Sequence, residues 1–376
     1  MAVNAKRRKV VYIIYDIDKA VGFEWIAANL DPSKFDLSFL LLNHKPSELA
    51  GQLKQMNIQV TEWNFKGKKS MPGTLWKIIG HLRKIKPDVI HTHMYIADIL
   101  GMLAGRWLKI PTRVYTRHSS NENRKYRNKT RIDKMVNGLS THIIAISDNV
   151  KDILVREEKV NESKIRLIHH GFDIARFSNV TAAEKKELEE KYNPGNKRPV
   201  IGVVARYSHW KGIQYVIDAF KMLLNDYPDA LLILANAKKG DYKNEIAEKL
   251  TSLPSNSFVE IDFESNLFAL YQLFDVYVHV PIDPELEAFG QTYVEALAAG
   301  IPSVFTMSGI AREFIVHEQN ALVVDFQNAE QITQSIKRLL QDKALSHQLI
   351  ENGKKDVQEP FTLAKMISRL ESLYSE

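Results

Sequence analysis

Short apolar runs alternate with longer amphipathic segments along most of the chain. In the first half the runs have the length of buried strands: Val10–Tyr15, Phe35–Leu42, Ile58–Trp63, Asp88–Thr92, Thr112–Thr116, His142–Ile146 and Ile165–His169. The segments between them have apolar residues at helical spacing: Trp25–Asn29, Ser47–Met56, Leu75–Ile85, Ile96–Leu108 and Asp148–Glu157. Strands separated by helices predict βαβ units and a parallel sheet.

The second half of the chain repeats this scheme. Its predicted strands are Val200–Val204, Leu231–Ala235, Phe258–Ile261, Val276–Val280, Ser303–Phe305 and Ala321–Val324. Its predicted helices are Gly212–Asn225, Asn244–Leu250, Leu267–Phe274, Gly290–Ala299 and Glu330–Gln341. The predicted fold class is therefore α/β, with two Rossmann-like, doubly wound parallel-sheet domains.

The boundary between the two halves is marked by a charged stretch, Glu184–Lys191, and then by Asn193-Pro194-Gly195-Asn196. Turn-forming residues before an apolar strand predict a linker. We expect an N-terminal domain over 1–177, a linker over 178–198, a C-terminal domain over 199–358 and a last helix over 359–376 that crosses back to the N-terminal domain. Parallel sheets bind ligands at the carboxyl ends of their strands, so the expected site is a central cleft that the two domains face.

The composition excludes several classes of protein. The chain has 376 residues, of which 45% are hydrophobic and 26% charged, and it has no cysteine. Disulfides, cysteine-ligated zinc, iron–sulfur clusters and thiol nucleophiles are therefore excluded. No apolar run approaches the ~20 residues that span a bilayer, and Val10–Tyr15 is too short for the core of a signal peptide. We expect a cytoplasmic protein.

The charge is distributed unevenly. Residues 1–176 contain 31 basic and 17 acidic residues, a net charge of +14, whereas residues 177–376 have a net charge of −8. The densest basic stretch consists of Arg113, Arg117, Arg124, Lys125, Arg127, Lys129 and Arg131, and a second cluster, Lys66, Lys68 and Lys69, lies beside Trp63, Phe65 and Trp76. The basic half is either a solvated face or the contact for an anionic partner. An anionic membrane surface is favoured over nucleic acid, because no zinc-finger spacing or RNA-binding aromatic signature is present.

The most informative segment runs from Glu287 to Pro302, after the strand Val276–Val280. Phe289 and Gly290 open a helix that Gly300-Ile301-Pro302 ends. If Glu295 lies on the second helical turn, it is up to about 12 Å from Glu287 along the chain. That spacing fits an extended ligand with one carboxylate at each end, and the N–H groups at the helix start can hold phosphate between them. Taken singly, each glutamate is more often a solvated helix residue.

Glu-x7-Glu with Phe-Gly inside it, followed by Glu-Ala-Leu-Ala-Ala-Gly-Ile-Pro, resembles the retaining GT-B glycosyltransferases of group 1 (family 4). The resemblance extends along the whole chain, through Ile168-His-His-Gly-Phe-Asp173, Ser147, Asp88-Val-Ile-His-Thr-His93, Thr116-Arg-His118, Val203-Val-Ala-Arg206, Lys211-Gly212 and Ser308-Gly309. Three positions depart from the family pattern. A single glycine, Gly22, stands for the usual pair after the first strand, His170 replaces an asparagine, and Ala321 replaces a glycine.

The resemblance implies a role for each matched residue. It implies a donor-binding set of Gly22, Arg206, Lys211, Glu287, Phe289, Gly290, Gln291 and Glu295, and a catalytic set of His118, Glu287, Arg206 and Lys211. The chemistry of these side chains is consistent with the roles. Arg206 offers a forked donor and Lys211 a point charge for a diphosphate, so no metal or other cofactor is expected. Glu295 suits ribose hydroxyls and Glu287 sugar hydroxyls.

Histidines mark two predicted strand ends of the first half. His118 follows the strand Thr112–Thr116, where its side chain is expected to point into the cleft. His91 and His93 are two residues apart and so share one face of an extended segment. We expect one of them to be structural and favour His93 as the functional one.

Three other patterns point to different chemistry. Asp16-Ile17-Asp18 has the Asp-x-Asp form of metal-dependent glycosyltransferases of another fold, but it comes too early in the chain for that fold. Adjacent histidines, His169 and His170, point to opposite faces if they lie on a strand. Glycine-rich dinucleotide, P-loop and Gly-x-Ser-x-Gly motifs are all absent, which argues against dehydrogenases, P-loop ATPases and serine hydrolases.

The predicted function is transfer of a sugar, with retention of configuration, from a UDP- or GDP-sugar to a saccharide or lipid-linked saccharide. The resemblance implies bacterial surface glycans, and the basic half fits peripheral binding to the inner face of the cell membrane. The expected reaction is attack on the same face as the departing phosphate, with no glycosyl-enzyme. Two alternatives stay open: a sugar-nucleotide epimerase of the same fold and a non-catalytic sugar-nucleotide-binding subunit.

Overall fold

The computed structural model describes residues 6–120, 127–238 and 240–376, which form two compact units. The first unit contains residues up to Phe172 together with Leu363–Glu376, and the second contains Asp173–Thr362. Arg124 and Lys125 of the predicted basic stretch lie outside the described residues, as do the side chains of Arg127 and Lys129.

The first unit is built on a seven-stranded parallel sheet. Its strands are β1 (Arg8–Tyr15), β2 (Phe35–Asn43), β3 (Gln59–Asn64), β4 (Val89–His93), β5 (Thr112–Arg117), β6 (His142–Ala145) and β7 (Ile165–Leu167), in the order β3-β2-β1-β4-β5-β6-β7. Its helices are α1 (Val21–Asn29), α2 (Glu48–Gln55), α3 (Met71–Ile85), α4 (Tyr95–Trp107), α5 (Arg127–Leu139), α6 (Asp148–Asp152) and the last helix of the chain (Leu363–Ser375).

The second unit has a six-stranded parallel sheet. After α7 (Ile174–Ser178) and α8 (Ala182–Tyr192) come β8 (Val200–Val204), α9 (Ile213–Leu223), β9 (Leu231–Ala235), α10 (Lys243–Leu250), β10 (Phe258–Ile261), α11 (Leu267–Tyr271), β11 (Val276–His279), α12 (Gln291–Ala298), β12 (Ser303–Phe305), α13 (Ala311–Phe314), β13 (Leu322–Val323), α14 (Ala329–Gln341) and α15 (Lys343–Gln358). The strand order is β10-β9-β8-β11-β12-β13. The helix Leu363–Ser375 of the first unit is α16.

The two sheets have the same winding. Strands β8 to β13 follow one another in the order that β1 to β6 have in the first sheet, so β11 corresponds to β4 and helix α12 corresponds to α4. In each sheet the order in which strands are added reverses at the first strand, between β1 and β4 and between β8 and β11. Such a switch point is where doubly wound sheets bind ligands. The doubly wound fold class predicted from the sequence is confirmed.

Every predicted strand is present, with ends that differ by at most two residues from the predicted ones. The helices agree less well. α3 begins at Met71, four residues before the prediction, and the predicted helix Asp148–Glu157 continues after Asp152 as a π-helical turn. The helices α5, α7, α8, α13 and α15 were not predicted from apolar spacing. α15 buries only Ser346, Leu349, Gly353 and Val357 among its sixteen residues, which is too few for a clear apolar stripe.

The segment predicted as a linker is different in the structure. Residues 178–198 contain α8 and belong to the second unit. The start of α8 is a capping box, in which Thr181 accepts from the Glu184 N–H and the Glu184 side chain accepts from the Thr181 N–H. The spacing Thr-x-x-Glu is a start signal for a helix, and the high charge of the segment concealed it.

Candidate active site

The loop after β8 contains both cations of the predicted donor site. Lys211 ends a short 3₁₀ turn and Gly212 follows it with φ +74°. A Cβ atom on Gly212 would lie 1.9 Å from the carbonyl oxygen of Val280, at the end of β11. Only glycine allows this approach, and it places Lys211 beside the carboxyl end of β11. Arg206, nearer to β8, is exposed.

Lys211 and Glu287 form a buried ion pair. The Lys211 Nζ is 2.5 Å from the Glu287 Oε2, and the two side chains are 14% and 8% exposed. Burial would raise the pKa of the Glu287 carboxyl, but the Lys211 ammonium and the His279 ring together outweigh it, and the pKa falls to about 2. The carboxylate is therefore ionised without any ligand, and Lys211 keeps two further N–H donors for another anion.

His279 is a member of this cluster that the sequence analysis missed. It is the last residue of β11, and its Nε2 lies 3.4 Å from the Glu287 Oε2. Burial lowers the pKa of His279, so its imidazole is neutral. Neither ring nitrogen has a well-formed hydrogen bond to a described residue. The sequence signal that could have identified His279 is a histidine at the end of an otherwise apolar predicted strand.

Two glycines hold the chain around Glu287 in place. Gly290 has φ +83° and precedes α12, and a Cβ atom there would contact the ring of Tyr293 at 2.6 Å. A Cβ atom on Gly309 would lie 2.8 Å from the Glu287 Cγ. The Phe289 side chain is buried and its ring lies 6.1 Å from that of Phe361, so only its main chain is available to a ligand. Gln291 is exposed at the first turn of α12.

Glu295 lies on the buried face of α12, one turn after Gln291. It is 8% exposed, and the Tyr271 hydroxyl donates to its Oε2 at 2.8 Å. Burial raises the pKa of the Glu295 carboxyl to about 7, with the Tyr271 hydrogen bond acting in the opposite direction. Without a ligand, this carboxyl group is therefore close to half protonated at neutral pH.

In the first unit, the ends of β4 and β5 bring three histidines together. His93 pairs with Thr116 in the sheet register, and the His93 Nδ1 lies 3.0 Å from the His118 Nε2. The His118 ring stacks on His170 at 5.7 Å. Burial lowers the pKa of His118 to about 4 and that of His170 to about 3, so both imidazoles are neutral.

His91 belongs to the core of the first unit. It hydrogen-bonds through Nδ1 to the Tyr374 hydroxyl at 2.6 Å and through Nε2 to Thr116 at 2.8 Å. Tyr374 lies on α16, so the last helix is anchored against the end of this sheet. The expectation that one of the two histidines is structural agrees with this position, and His93 is the one that contacts His118.

A pocket of about 340 Å³ opens beside His118 at the ends of β4 and β5. Its lining includes Tyr95, Asp98, Arg117, His118 and Asp133. Asp98 accepts a hydrogen bond from the Thr92 hydroxyl at 2.7 Å, and burial raises its pKa to about 7. Asp98 was not among the predicted site residues, because a single acidic residue in the first turn of an apolar helix is an ordinary feature of helices.

The arginine that lines this pocket, Arg117, is neutralised by two carboxylates. The Arg117 guanidinium lies 3.3 Å from Asp133 and 2.8 Å from Glu158, and all three side chains are under 10% exposed. Arg113 donates to the carbonyl oxygens of Leu139 and Ile110. Arg117 is therefore an internal structural residue that does not present its charge to a partner, which corrects that part of the prediction, and the half-buried Arg113 is held by main-chain carbonyls.

The remaining sequence candidates lie elsewhere. Gly22 is exposed in the first turn of α1, not in a loop, and a Cβ atom there would have no neighbour within 4 Å. Asp18 accepts from the Glu48 N–H and from Lys45, both at 3.3 Å. His169 and His170 follow the end of β7, so the strand geometry expected for them does not apply.

Comparison with known proteins assigns the class. Residues 28–176 match the family Glycosyltransferase Family 4, and residues 184–356 match Glycosyl transferases group 1. The capsular polysaccharide biosynthesis glycosyltransferase CapM of Staphylococcus aureus is 25% identical, over 80% of each chain. An Escherichia coli UDP-Gal:alpha-D-GlcNAc-diphosphoundecaprenol alpha-1,3-galactosyltransferase is 24% identical, over 78% of this chain and 76% of that one.

Solved structures show the same fold. HepE of Anabaena, crystallised with UDP and glucose, superposes with a TM-score of 0.83 at 19% identity, over 97% of this chain and 99% of that one. The chain is a glycosyltransferase of the GT-B fold. Its N-terminal half carries the family 4 domain and its C-terminal half the group 1 domain. Within the described ranges, no helix is both long enough and apolar enough to cross a bilayer.

Proposed function

We propose that this glycosyltransferase moves a sugar from a UDP- or GDP-sugar to a saccharide or lipid-linked saccharide, with retention of configuration and without a metal. The second unit binds the donor and the first binds the acceptor. The product is a bacterial surface glycan made at the inner face of the cell membrane. The relatives from S. aureus and E. coli support the acceptor class through their names.

The observation that carries the proposal is the buried Lys211–Glu287 pair. A departing nucleoside diphosphate gains negative charge as its bond to the sugar breaks, and preorganised cations stabilise that charge. Lys211 has two N–H donors left after Glu287, and the exposed Arg206 offers its fork from the same loop. The ionised Glu287 then accepts hydrogen bonds from hydroxyl groups of the sugar.

The proposed reaction exchanges one bond for another on a single face of the sugar. The acceptor oxygen forms a bond to the anomeric carbon while the bond to the phosphate oxygen breaks. The acceptor proton passes to the departing phosphate oxygen, so no protein base is needed. Because its carboxylate is already bound by Lys211, Glu287 is a poor nucleophile, which favours this path over a covalent intermediate. His118, a neutral imidazole, is the candidate for orienting a sugar hydroxyl.

The pocket beside His118 fits a hydroxyl-bearing acceptor. Asp98 accepts one hydrogen bond, from the Thr92 hydroxyl, and it lines the pocket. Arg117 is already paired with two carboxylates, so the pocket offers acceptors and no unpaired cation among its described lining residues. This chemistry favours saccharide hydroxyls over a phosphate at this position.

A thermal-shift panel of UDP-, GDP- and ADP-sugars tests the donor class, followed by product analysis with the donor that stabilises most. We expect one nucleotide class to raise the melting temperature and the anomeric proton coupling of the product to match that of the donor. An inverted product would refute retention. A donor converted to its epimer without any acceptor would identify an epimerase, and binding without turnover would identify a binding subunit.

A further inference from the structure

Two tryptophans of the first unit form an exposed apolar patch. Trp76 on α3 is 61% exposed and Trp107 on α4 is 63% exposed, more than any other large hydrophobic residue that the structure describes. Their rings contact each other edge to face, with centroids 5.8 Å apart. Aromatic pairs of this kind are ordinarily buried. A contiguous exposed pair indicates a contact surface.

The helix that carries Trp76 is firmly attached to the unit by its other face. Ile78, Ile79 and Leu82 of α3 are buried. Trp76 therefore stands on the outer face of a packed helix, and its exposure does not come from a helix that lacks a partner. Residues 7 positions apart share a helix face, so Arg83 lies on the same side as Trp76.

The two segments that carry the tryptophans are strongly basic. Between Trp63 and Pro87 the chain has no acidic residue and seven basic ones: Lys66, Lys68, Lys69, Lys77, Arg83, Lys84 and Lys86. Arg106 and Lys109 flank Trp107 and are exposed. None of these nine side chains forms an ion pair with a described residue, whereas exposed lysines elsewhere, such as Lys191 and Lys249, do. The cations around the tryptophans are thus left for an external anion.

We propose that Trp76 and Trp107, with the surrounding cations, form the surface by which this chain inserts into an anionic lipid leaflet. Tryptophan prefers the headgroup region of a bilayer, where its ring is half apolar and its N–H stays hydrated. Each nearby Lys or Arg adds electrostatic attraction to an anionic leaflet. The charges attract the unit and the indoles anchor it, and together they supply the two signals that stable peripheral binding needs.

The purpose of this membrane-binding surface rests on the proposed function, because the enzyme must meet a lipid-linked acceptor at the membrane. The surface itself is independent of the chemistry. It belongs to the first unit alone and includes none of the residues assigned to donor or acceptor binding.

The test uses the full chain and vesicles of phosphatidylcholine with or without an equal part of phosphatidylglycerol. The variant Trp76→Ala/Trp107→Ala should lower partitioning onto the anionic vesicles by about tenfold or more. Phe263→Ala is the matched control, since Phe263 is 59% exposed on the acidic second unit, and it should bind as the wild type does. Vesicles with brominated acyl chains should quench the wild-type fluorescence more than that of the double variant, which keeps Trp25, Trp63 and Trp210.

A second pair of variants tests the contribution of the basic residues. Lys77→Glu/Arg83→Glu/Lys84→Glu should abolish binding and remove its salt dependence, while Lys185→Glu/Lys186→Glu/Lys221→Glu on the second unit should change little. Equal binding of wild type and tryptophan variant, or equal loss in the Phe263 control, would overturn the proposal. So would a wild type that self-associates in solution through these tryptophans and ignores vesicles.

Turnover separates this proposal from the proposed function. Sugar transfer to a water-soluble acceptor in the absence of lipid should be equal in the wild type and the tryptophan variant. If the wild type transfers sugar but binds no vesicle, the surface assignment fails and the function stands. If vesicle binding depends on the tryptophans but no donor is consumed, the function fails and the surface stands.

Discussion

The two units share one strand order, but in neither unit does the charge of the site follow the net charge of the unit. The first half of the chain has a net charge of +14 and the second a net charge of −8. Yet the pocket of the first unit is lined by the neutral His118 and by Arg117, which two carboxylates neutralise, whereas the proposed donor site of the second unit is built around Lys211 and Arg206. The cations proposed to bind the diphosphate therefore belong to the acidic unit.

The net charge of a domain is therefore no guide to the charge of the residues that line its ligand site. A ligand in a pocket interacts with a few desolvated groups, while surface charges are screened over ~8 Å at physiological ionic strength. The surplus charge of the first unit therefore needs another explanation than its pocket. The unpaired cations around Trp76 and Trp107 offer one.

The units also contain corresponding acids. Asp98 on α4 and Glu295 on α12 follow equivalent strands, each has one hydroxyl donor, and burial raises the pKa of each to about 7. Both can accept hydrogen bonds from hydroxyl-rich ligands. They differ in access, since Glu295 is 8% exposed and Asp98 lines an open pocket.

The largest effect should come from removing the cation of the second unit. Lys211→Ala takes away a phosphate contact and leaves the buried Glu287 carboxylate without its partner. We expect turnover and donor affinity to fall by at least ~30-fold, about 2 kcal/mol, the range for truncating a buried charged pair. Calorimetry with the nucleoside diphosphate and steady-state kinetics measure this. Lys221→Ala, an exposed cation on α9, is the control, and an unchanged Lys211 variant would remove this residue from the site.

A smaller effect should follow from neutralising the partner. Glu287→Gln keeps the shape of the side chain and some hydrogen bonding, so it should retain measurable turnover with retention of configuration, roughly a tenth or less of the wild type. Glu287→Ala should lose more, because it cannot bind the sugar hydroxyls. Glu245→Gln on α10 controls for loss of an exposed carboxylate. Detection by intact mass of a sugar attached to Glu287 would contradict the same-face reaction.

An effect of intermediate size is expected for Glu295 and Asp98, whose replacement should change how the free energy of unfolding depends on pH. A carboxyl whose pKa rises on folding binds more protons in the folded state, so stability falls as pH rises from about 4 to about 7. Glu295→Gln should therefore gain stability relative to wild type over that range, on the order of 2 kcal/mol. Asp98→Asn should gain at least as much, because the pKa of Asp98 rises to the same value from a lower ordinary pKa. The buried histidines act in the opposite direction, so the difference between variant and wild type is the quantity to measure by thermal melting at each pH.

Equal pH profiles of the Glu295 variant and the wild type would contradict the raised pKa. A stability difference between the Asp98 variant and the wild type that does not change over this pH range would contradict the raised pKa of Asp98. A nucleoside diphosphate should reduce the gain of the Glu295 variant and leave that of the Asp98 variant unchanged, because ribose hydroxyls stabilise the ionised carboxylate in the second unit only.

The strands and the glutamate motif could be predicted from the sequence, whereas several helices and the buried ion pair could not. Strands were predictable because a buried parallel strand is a continuous apolar run, and each ends near a polar residue. The helices α8 and α15 were not, because few of their side chains are buried. Within the site, the motif from Glu287 to Glu295 was readable from its residue types. The Lys211–Glu287 pair was not, because its members are 76 positions apart and are brought together by the pairing of β8 with β11 and by the close approach of Gly212 to Val280.

The smallest effect should be that of removing metal ions, and it tests whether the cations of the second unit suffice. Arg206 and Lys211 can stabilise the departing diphosphate as a divalent ion would. The Asp-x-Asp sequence lies in the first unit, where Asp18 is engaged by Lys45 and by the N–H of Glu48. We expect EDTA in excess to leave turnover within about twofold of the untreated enzyme. Magnesium should not rescue Lys211→Ala, because the lost charge was held at a fixed position. Loss of activity in EDTA, restored by manganese and abolished by Asp18→Asn, would transfer the phosphate chemistry to the first unit and reverse the assignment of the two sites.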